Sequence, residues 1–341
     1  MQFKPIAAAA AALAFVWTAA PGSSQAASCE IDKPIVFAGL DWDSNSFHVA
    51  VAQFIMKNGY GCEVDKIPGS TIPMLNGMIR GDIDVTMEMW VANVKAAWDK
   101  ALAGGKVVDL GINFPDAVQG WYVPKYLTEG ANAPAKGLKS VADLPKFKDV
   151  FADPEEPGKG RFYNCIAGWG CEVINTKKMN AYGLNDTFVN FRPGTGAALS
   201  AVIESSIKRK KPIVFYYWGP TWVLGKVGDQ VRMLDEPAYD QAIWDAMMDE
   251  KDETKVTKAT AYPLVPVSVS SSSEFYGKAP KLVAFLKKYA TNADMVSKAL
   301  AYMQDTGGTA EEAAVNFLKT NEALWSKWLP ADVAVKVKAA L

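Results

Sequence analysis

Three short stretches set tryptophan beside glycine, acid and proline: Asp84-Val85-Thr86-Met87-Glu88-Met89-Trp90, Asn164-Cys165-Ile166-Ala167-Gly168-Trp169-Gly170-Cys171-Glu172, and Val214-Phe215-Tyr216-Tyr217-Trp218-Gly219-Pro220-Thr221-Trp222. Each places one indole, Trp90, Trp169 or Trp218, at the end of an apolar run or inside a glycine-flanked loop, and Trp42 follows another such run. An indole face attracts a cation through its ring quadrupole, at about 0.5–2 kcal/mol per contact. A permanent cation without N–H groups has no hydrogen bond to offer, so several such faces would favour a methylated cation over a neutral solute of its size. The loop Gly168-Trp169-Gly170-Cys171 supplies successive backbone N–H groups. If a helix begins at Cys171-Glu172-Val173, its N-terminus adds a favourable field for an anion. A cation box beside an anion cradle describes a site for a small zwitterion. The competing reading is that these tryptophans fill a core. Their matching positions at strand ends, one of them between two cysteines, favour the ligand.

An exported enzyme is the rival class. Asp41-Trp42-Asp43 could be imagined as an acid pair, but the chain contains no nucleophile elbow and no phosphate-binding loop. The one histidine, His48, lies on an apolar helical face and reads as a packed residue. Cys29, Cys62, Cys165 and Cys171 contain no CxxC unit, so a metal site is not expected. No catalytic residue and no cofactor follow from these patterns. Trp244, Trp325 and Trp328 read as packing residues.

The elements that must carry the site alternate between strand and helix. Ile35–Ala38, Cys62–Ile67 and Ile83–Met87 read as strands, and Phe47–Met56 and Thr71–Arg80 as helices. After a Pro- and Gly-rich stretch from Lys125 to Lys159, a helix is expected over Ala197–Lys208 and a strand over Ile213–Tyr217. Within that stretch a helix start is expected at Ser140-Val141-Ala142-Asp143, and Ser270–Ser273 is expected to cap a further helix. This rhythm predicts an α/β fold with mainly parallel sheets flanked by helices, whose ligands bind beyond the carboxyl ends of the strands. Trp42 and Trp90 fall just past two such ends. Two crossings, near residues 122 and 262, divide the chain into a first lobe of residues 28–121 plus 263–341 and a second lobe of residues 122–262, with a ligand cleft between.

Residues 1–27 have the order of a secretory signal peptide: Lys4, an Ala-rich apolar core, then small residues at Ala26 and Ala27. Export to an oxidising compartment turns the four cysteines into two disulfides. Cys165 and Cys171 bracket the glycine loop and Cys29 and Cys62 precede two strands, which favours pairing near with near. The net charge of −1, with lysines and acids interspersed, offers no basic stripe for nucleic acid. No second apolar run is long enough to span a membrane.

The segments Cys165–Glu172 and Phe215–Val223 resemble the two signatures of the glycine betaine/proline betaine-binding proteins of osmoprotectant ABC transporters. Gly81-Asp82-Ile83-Asp84 ahead of Trp90, and Gln119-Gly120, extend the similarity over nearly the whole mature chain. The resemblance implies a type II periplasmic-binding fold, a periplasmic location and a membrane permease as partner. It implies a tryptophan box of Trp90, Trp169 and Trp218, with the amides of Gly170 and Cys171 taking the ligand carboxylate. Many members carry a histidine four residues after the first box tryptophan. Here that position is Val94, with Asn93 beside it as a possible substitute. Trp42 is more reminiscent of the choline-binding branch. Glycine betaine is the expected ligand, with choline and dimethylsulfoniopropionate as alternatives.

Overall fold

The computed structural model describes residues 1–2 and 29–341. The expected signal segment and its cleavage point lie outside the described residues.

Strands β1 (Ile35–Leu40), β2 (Val64–Gly69) and β3 (Val85–Met89) form the parallel part of a first sheet. Apolar runs become central strands here because helices cover both faces, and all five residues of β3 are buried. That strand nevertheless contains Thr86 and Glu88, so something other than hydrophobic burial fixes those two residue types. Strand β4 (Val107–Pro124) is 18 residues long. The second sheet contains β5 (Gly160–Tyr163), β6 (Phe188–Phe191), β7 (Val214–Gly219) and β8 (Val231–Met233), with β5 parallel to both β6 and β7. Strand β9 (Val265–Ser272) returns to the first sheet. The order is β2-β1-β3-β9-β4-β7-β5-β6, with β8 also on β4.

The expected parallel sheets are thus joined by antiparallel crossing strands, and β4 belongs to both. It pairs with β9 as far as Ala117↔Val265 and with β7 from Val118↔Gly219. The partner change falls a few residues before Trp121-Tyr122-Val123-Pro124, because that apolar stretch is a buried strand of the second sheet rather than a linker.

Helix α1 (Asp43–Tyr60) extends beyond the expected Phe47–Met56 at both ends. Its first turn is polar, so apolar periodicity misses it. The side-chain amide of Asn45 donates to the carbonyls of Ala38 and Leu40 at 3.1 and 3.4 Å, locking the helix start to the end of β1. Helices α2 (Thr71–Arg80), α3 (Lys95–Ala103), α4 (Lys125–Thr128), α5 (Gly170–Ala181) and α6 (Gly196–Lys208) follow. The start expected at Ser140 is present as a capping box with Asp143, but it opens a 3-10 turn over Val141–Phe147, with Pro145 inside it. Ser272 caps the helix Ser273–Lys278, its hydroxyl accepting from the Phe275 amide at 3.2 Å. The C-terminal helices Ala293–Thr306, Ala310–Thr320 and Ala331–Ala339 pack on α1. Phe47, Ile55, Phe317 and Val337 share one core there. Cys29 pairs with Cys62 and Cys165 with Cys171.

Candidate ligand-binding site

The first half of the site is built where β1 and β3 end side by side. Trp42 directly precedes α1, and its carbonyl accepts the Ser46 amide at 3.1 Å as the helix begins. Trp90 follows the last residue of β3. Both indole N–H groups donate to one oxygen of Glu88, Oε2, at 2.8 Å from Trp42 and 3.1 Å from Trp90. Glu88 is wholly buried. Burial pushes its carboxyl up to about 7, while hydrogen bonds from Trp42, Ser44 and Trp90 pull the other way. Its second oxygen lies 3.9 Å from Nε2 of His48. His48 is also fully buried, which lowers its imidazole to about 3, and its Nδ1 lies 2.8 Å from the Tyr289 hydroxyl. The histidine is packed, as its position on an apolar face implies, yet it stands directly behind the carboxylate that anchors two tryptophans.

The second half is a loop between β5 and α5, closed by the Cys165–Cys171 disulfide. Gly168 sits at φ 95°, a conformation that side-chain-bearing residues rarely adopt. Its carbonyl accepts the Ile72 amide of α2 at 3.3 Å, linking the loop to the first lobe. Trp169 is the N-cap residue of α5, so the amides of Gly170 and Cys171 belong to a first helical turn that has no intrahelical acceptors. A Cβ on Gly170 would stand 2.6 Å from the Asn93 carbonyl, so only glycine allows this approach of the two lobes. The Trp169 indole N–H donates across the cleft to Oδ1 of Asp41 at 2.7 Å. Trp218 lies within β7, all of which is buried.

The rings meet nearly edge to face. Trp42 and Trp169 have centroids 5.4 Å apart at 75°, and Trp169 and Trp218 are 5.0 Å apart at 86°. The cavity they leave is small, about 30 Å³, and is lined by all seven expected ligand residues: Trp42, Trp90, Asn93, Trp169, Gly170, Cys171 and Trp218. Thr71, Gln119 and Tyr216 complete the lining. Asn93 and Gln119 hold each other through two amide hydrogen bonds of 2.8 and 3.1 Å, and the Tyr216 hydroxyl donates to Gln119 at 2.6 Å. The Asn93 side-chain oxygen is therefore engaged, leaving N–H groups of this triad as the polar donors. Gln119 and Trp218 are opposite one another in the β4–β7 register, a cross-strand neighbourhood that spacing along the chain does not reveal. Glu88 lies within the first tryptophan motif, but a strand pattern alone gives no reason to look behind the ring.

The tryptophans read as packing residues stand elsewhere. Trp244 packs on Tyr262 with centroids 5.5 Å apart, and Trp328 on Tyr289 at 4.5 Å. Trp325 donates its N–H to the Leu318 carbonyl at 2.7 Å.

Comparison with known proteins agrees with this architecture. Residues 33–320 match the family model described as the substrate binding domain of the ABC-type glycine betaine transport system. The glycine betaine-binding periplasmic protein OusX of Dickeya dadantii is 30% identical over 177 residues, which cover 51% of this chain and 50% of that protein. The chain thus spans about half the length of that relative. A glycine betaine/proline betaine-binding periplasmic protein of Escherichia coli is 25% identical over 300 residues, covering 84% of this chain and 86% of that one. The crystal structure of a glycine betaine/L-proline-binding protein from Borrelia burgdorferi shares the fold at a TM-score of 0.72 and 19% identity, over 89% of this chain and all of that one. With the family model spanning most of its length, the chain belongs to the substrate-binding domains of ABC-type glycine betaine transport systems.

Proposed function

We propose that this protein is exported through its N-terminal signal segment and captures glycine betaine, or a closely similar methylated zwitterion, for delivery to the membrane permease of an ABC importer. The first lobe, residues 28–121 with 263–341, and the second, residues 122–262, close around the ligand by movement about β4 and the return into β9. The observation that carries the reading is the convergence of Trp42, Trp90, Trp169 and Trp218 on one small cavity that also adjoins the first turn of α5. In the complex the trimethylammonium head lies against the indole faces. The carboxylate takes the amides of Gly170 and Cys171, where the α5 dipole favours negative charge.

Trp42 and Trp90 come from one lobe and Trp169 and Trp218 from the other, so a ligand touches all four only when the lobes close. Binding then stabilises the closed state through contacts the open state lacks, and closure is the signal a permease can read. Aromatic rings and amide N–H groups dominate the lining of the cavity, which supports capture as its role.

A second reading, choline, is favoured by Trp42 as a fourth aromatic wall and by the carboxylates of Asp41 and Glu88 bonded to box indoles. Tryptophan fluorescence titration with glycine betaine, choline and dimethylsulfoniopropionate decides between the two. Betaine is expected to bind more tightly than choline, which has no carboxylate for the α5 amides. Choline binding tenfold tighter than betaine would overturn that order.

A further inference from the structure

We propose that Glu88, one layer behind the aromatic walls, makes the pocket select for positive charge: its carboxylate orients Trp42 and Trp90 through their N–H groups and sets negative charge behind both rings. This rests on the reading that the cavity takes a methylated cation. It goes further in assigning the charge preference to a positioning residue that the ligand does not touch, since Glu88 is not among the residues lining the cavity.

The argument begins with an anomaly. A carboxylate in a strand buried on both faces is unfavourable unless it is compensated. Orienting two indoles requires only an acceptor oxygen, which an amide or a hydroxyl would supply without a charge. Among the described residues no lysine or arginine pairs with Glu88; its nearest basic group is His48, at 3.9 Å and held neutral by burial. Tyr289, bonded to the far nitrogen of that imidazole, is the other titratable group facing it, and burial raises its hydroxyl well above the ordinary range. The protein therefore leaves this carboxylate without a counter-charge. A cation seated on Trp42 and Trp90 supplies one.

The chemistry of the contact runs the same way. An N–H that donates to a carboxylate makes a charge-assisted bond. That bond shifts electron density toward the ring and deepens the negative face a cation meets. Asp41 does the same for Trp169, but from an exposed position where solvent screens it. Of the two carboxylates, only Glu88 acts wholly through protein.

Calorimetry on the full mature chain tests the assignment, with wild type and Glu88→Gln titrated at pH 8 against glycine betaine and 3,3-dimethylbutanoate. The second compound replaces the ammonium nitrogen by carbon and keeps shape and carboxylate. Glutamine keeps an oxygen able to accept both indole N–H groups and removes only the charge. Betaine affinity is expected to fall by about ten- to fiftyfold, the scale of one charge acting across a few partly desolvated ångströms. Affinity for the neutral-headed compound should change by less than about threefold. Equal losses for both compounds, or no loss for betaine, overturn the proposal. Wild type alone provides a second measurement that needs no variant. Its preference for betaine over the neutral-headed compound should shrink as the pH falls from 8 to 5.5, because protonating Glu88 removes the charge, and a flat preference counts against the proposal. If wild type binds neither compound, the functional reading falls with it; if wild type binds betaine and Glu88→Gln matches it, only the role of Glu88 falls.

Discussion

The two halves of the tryptophan box are held by different physics. In the first lobe, Trp42 and Trp90 leave adjacent strand ends and share one buried carboxylate oxygen, so both rings are fixed within the lobe itself. In the second lobe, Trp169 sits in a disulfide-closed loop whose polar partners lie across the cleft: its indole on Asp41, and the neighbouring Gly168 carbonyl on the amide of Ile72. The first wall is therefore held within one lobe, while part of the second is held by contacts across the cleft. Under the proposed closing motion, the difference separates preorganisation, which lowers the ordering cost of binding, from cross-cleft contacts that closure would complete.

The most severe test of this contrast removes the rings. Trp90→Ala and Trp218→Ala should each weaken betaine binding by about 1–3 kcal/mol in calorimetry, from lost cation–π contact and apolar packing, and phenylalanine at either position should cost less. Trp169→Ala should match them in affinity and in addition reduce the extent of ligand-induced closure, read by small-angle scattering with and without ligand. If all three behaved as Trp325→Phe does, the box would have no support.

Opening the second wall's clip comes next. Replacing Cys165 and Cys171 together by alanine should lower stability by only about 2 kcal/mol, because the disulfide closes a short loop. It should weaken binding by a comparable amount, since the Gly170 and Cys171 amides lose their fixed position. The same double replacement at Cys29 and Cys62, neither of which lines the cavity, should leave affinity unchanged. Calorimetric titration beside thermal unfolding separates the two effects.

Asp41→Ala probes a contact across the cleft that the proposed closure would complete. It should reduce affinity by about 1 kcal/mol, the scale of one hydrogen bond, while leaving the unfolding temperature of the ligand-free protein nearly unaltered. An equal loss in both would place Asp41 in the fold rather than in closure.

The buried pair behind the first wall makes a pH prediction. His48 is lowered from 6.5 to about 3, so the unfolded chain takes up a proton that the folded chain refuses, and stability is lost as the pH falls below 6.5. Glu88 is raised from 4.5 to about 7, so its contribution has the opposite sign: stability is lost as the pH rises from 4.5 toward 7. The two offset one another between pH 4.5 and 6.5, and below pH 4.5 the histidine acts alone. Thermal unfolding should therefore show its steepest acid loss from this pair below about pH 4.5, and His48→Gln should flatten that limb.

The smallest effect is expected where tryptophans only pack. Phenylalanine at Trp244, Trp325 or Trp328 should leave betaine affinity within error and lower stability by about 1–3 kcal/mol in denaturant unfolding.

Much of this was legible along the chain because the signals are local. An apolar run followed by tryptophan marks a strand end, and glycines between two cysteines mark a constrained loop. A serine run at a strand-to-helix boundary marks a helix cap, and Ser272 serves as one. Less legible were the polar first turn of α1, which carries no apolar period, and the 18-residue strand β4, whose pairing changes partner midway. Glu88 was the hardest to find, because a single acid in a strand reads as a solvated face until that strand is seen buried on both sides.

Residue type and local spacing, together with the family resemblance, pointed to the α/β class, favoured the near-with-near cysteine pairing and named seven of the ten residues that line the cavity. The tertiary structure alone decided which groups stand behind and across from those residues. Gln119 reaches Trp218 through strand register. Asp41 reaches Trp169 across 128 residues of sequence, and Glu88 reaches Trp42 across 46. Hydrogen bonds over such separations depend on how sheets and lobes are packed, and no local pattern encodes a distance between segments that meet only in the folded chain.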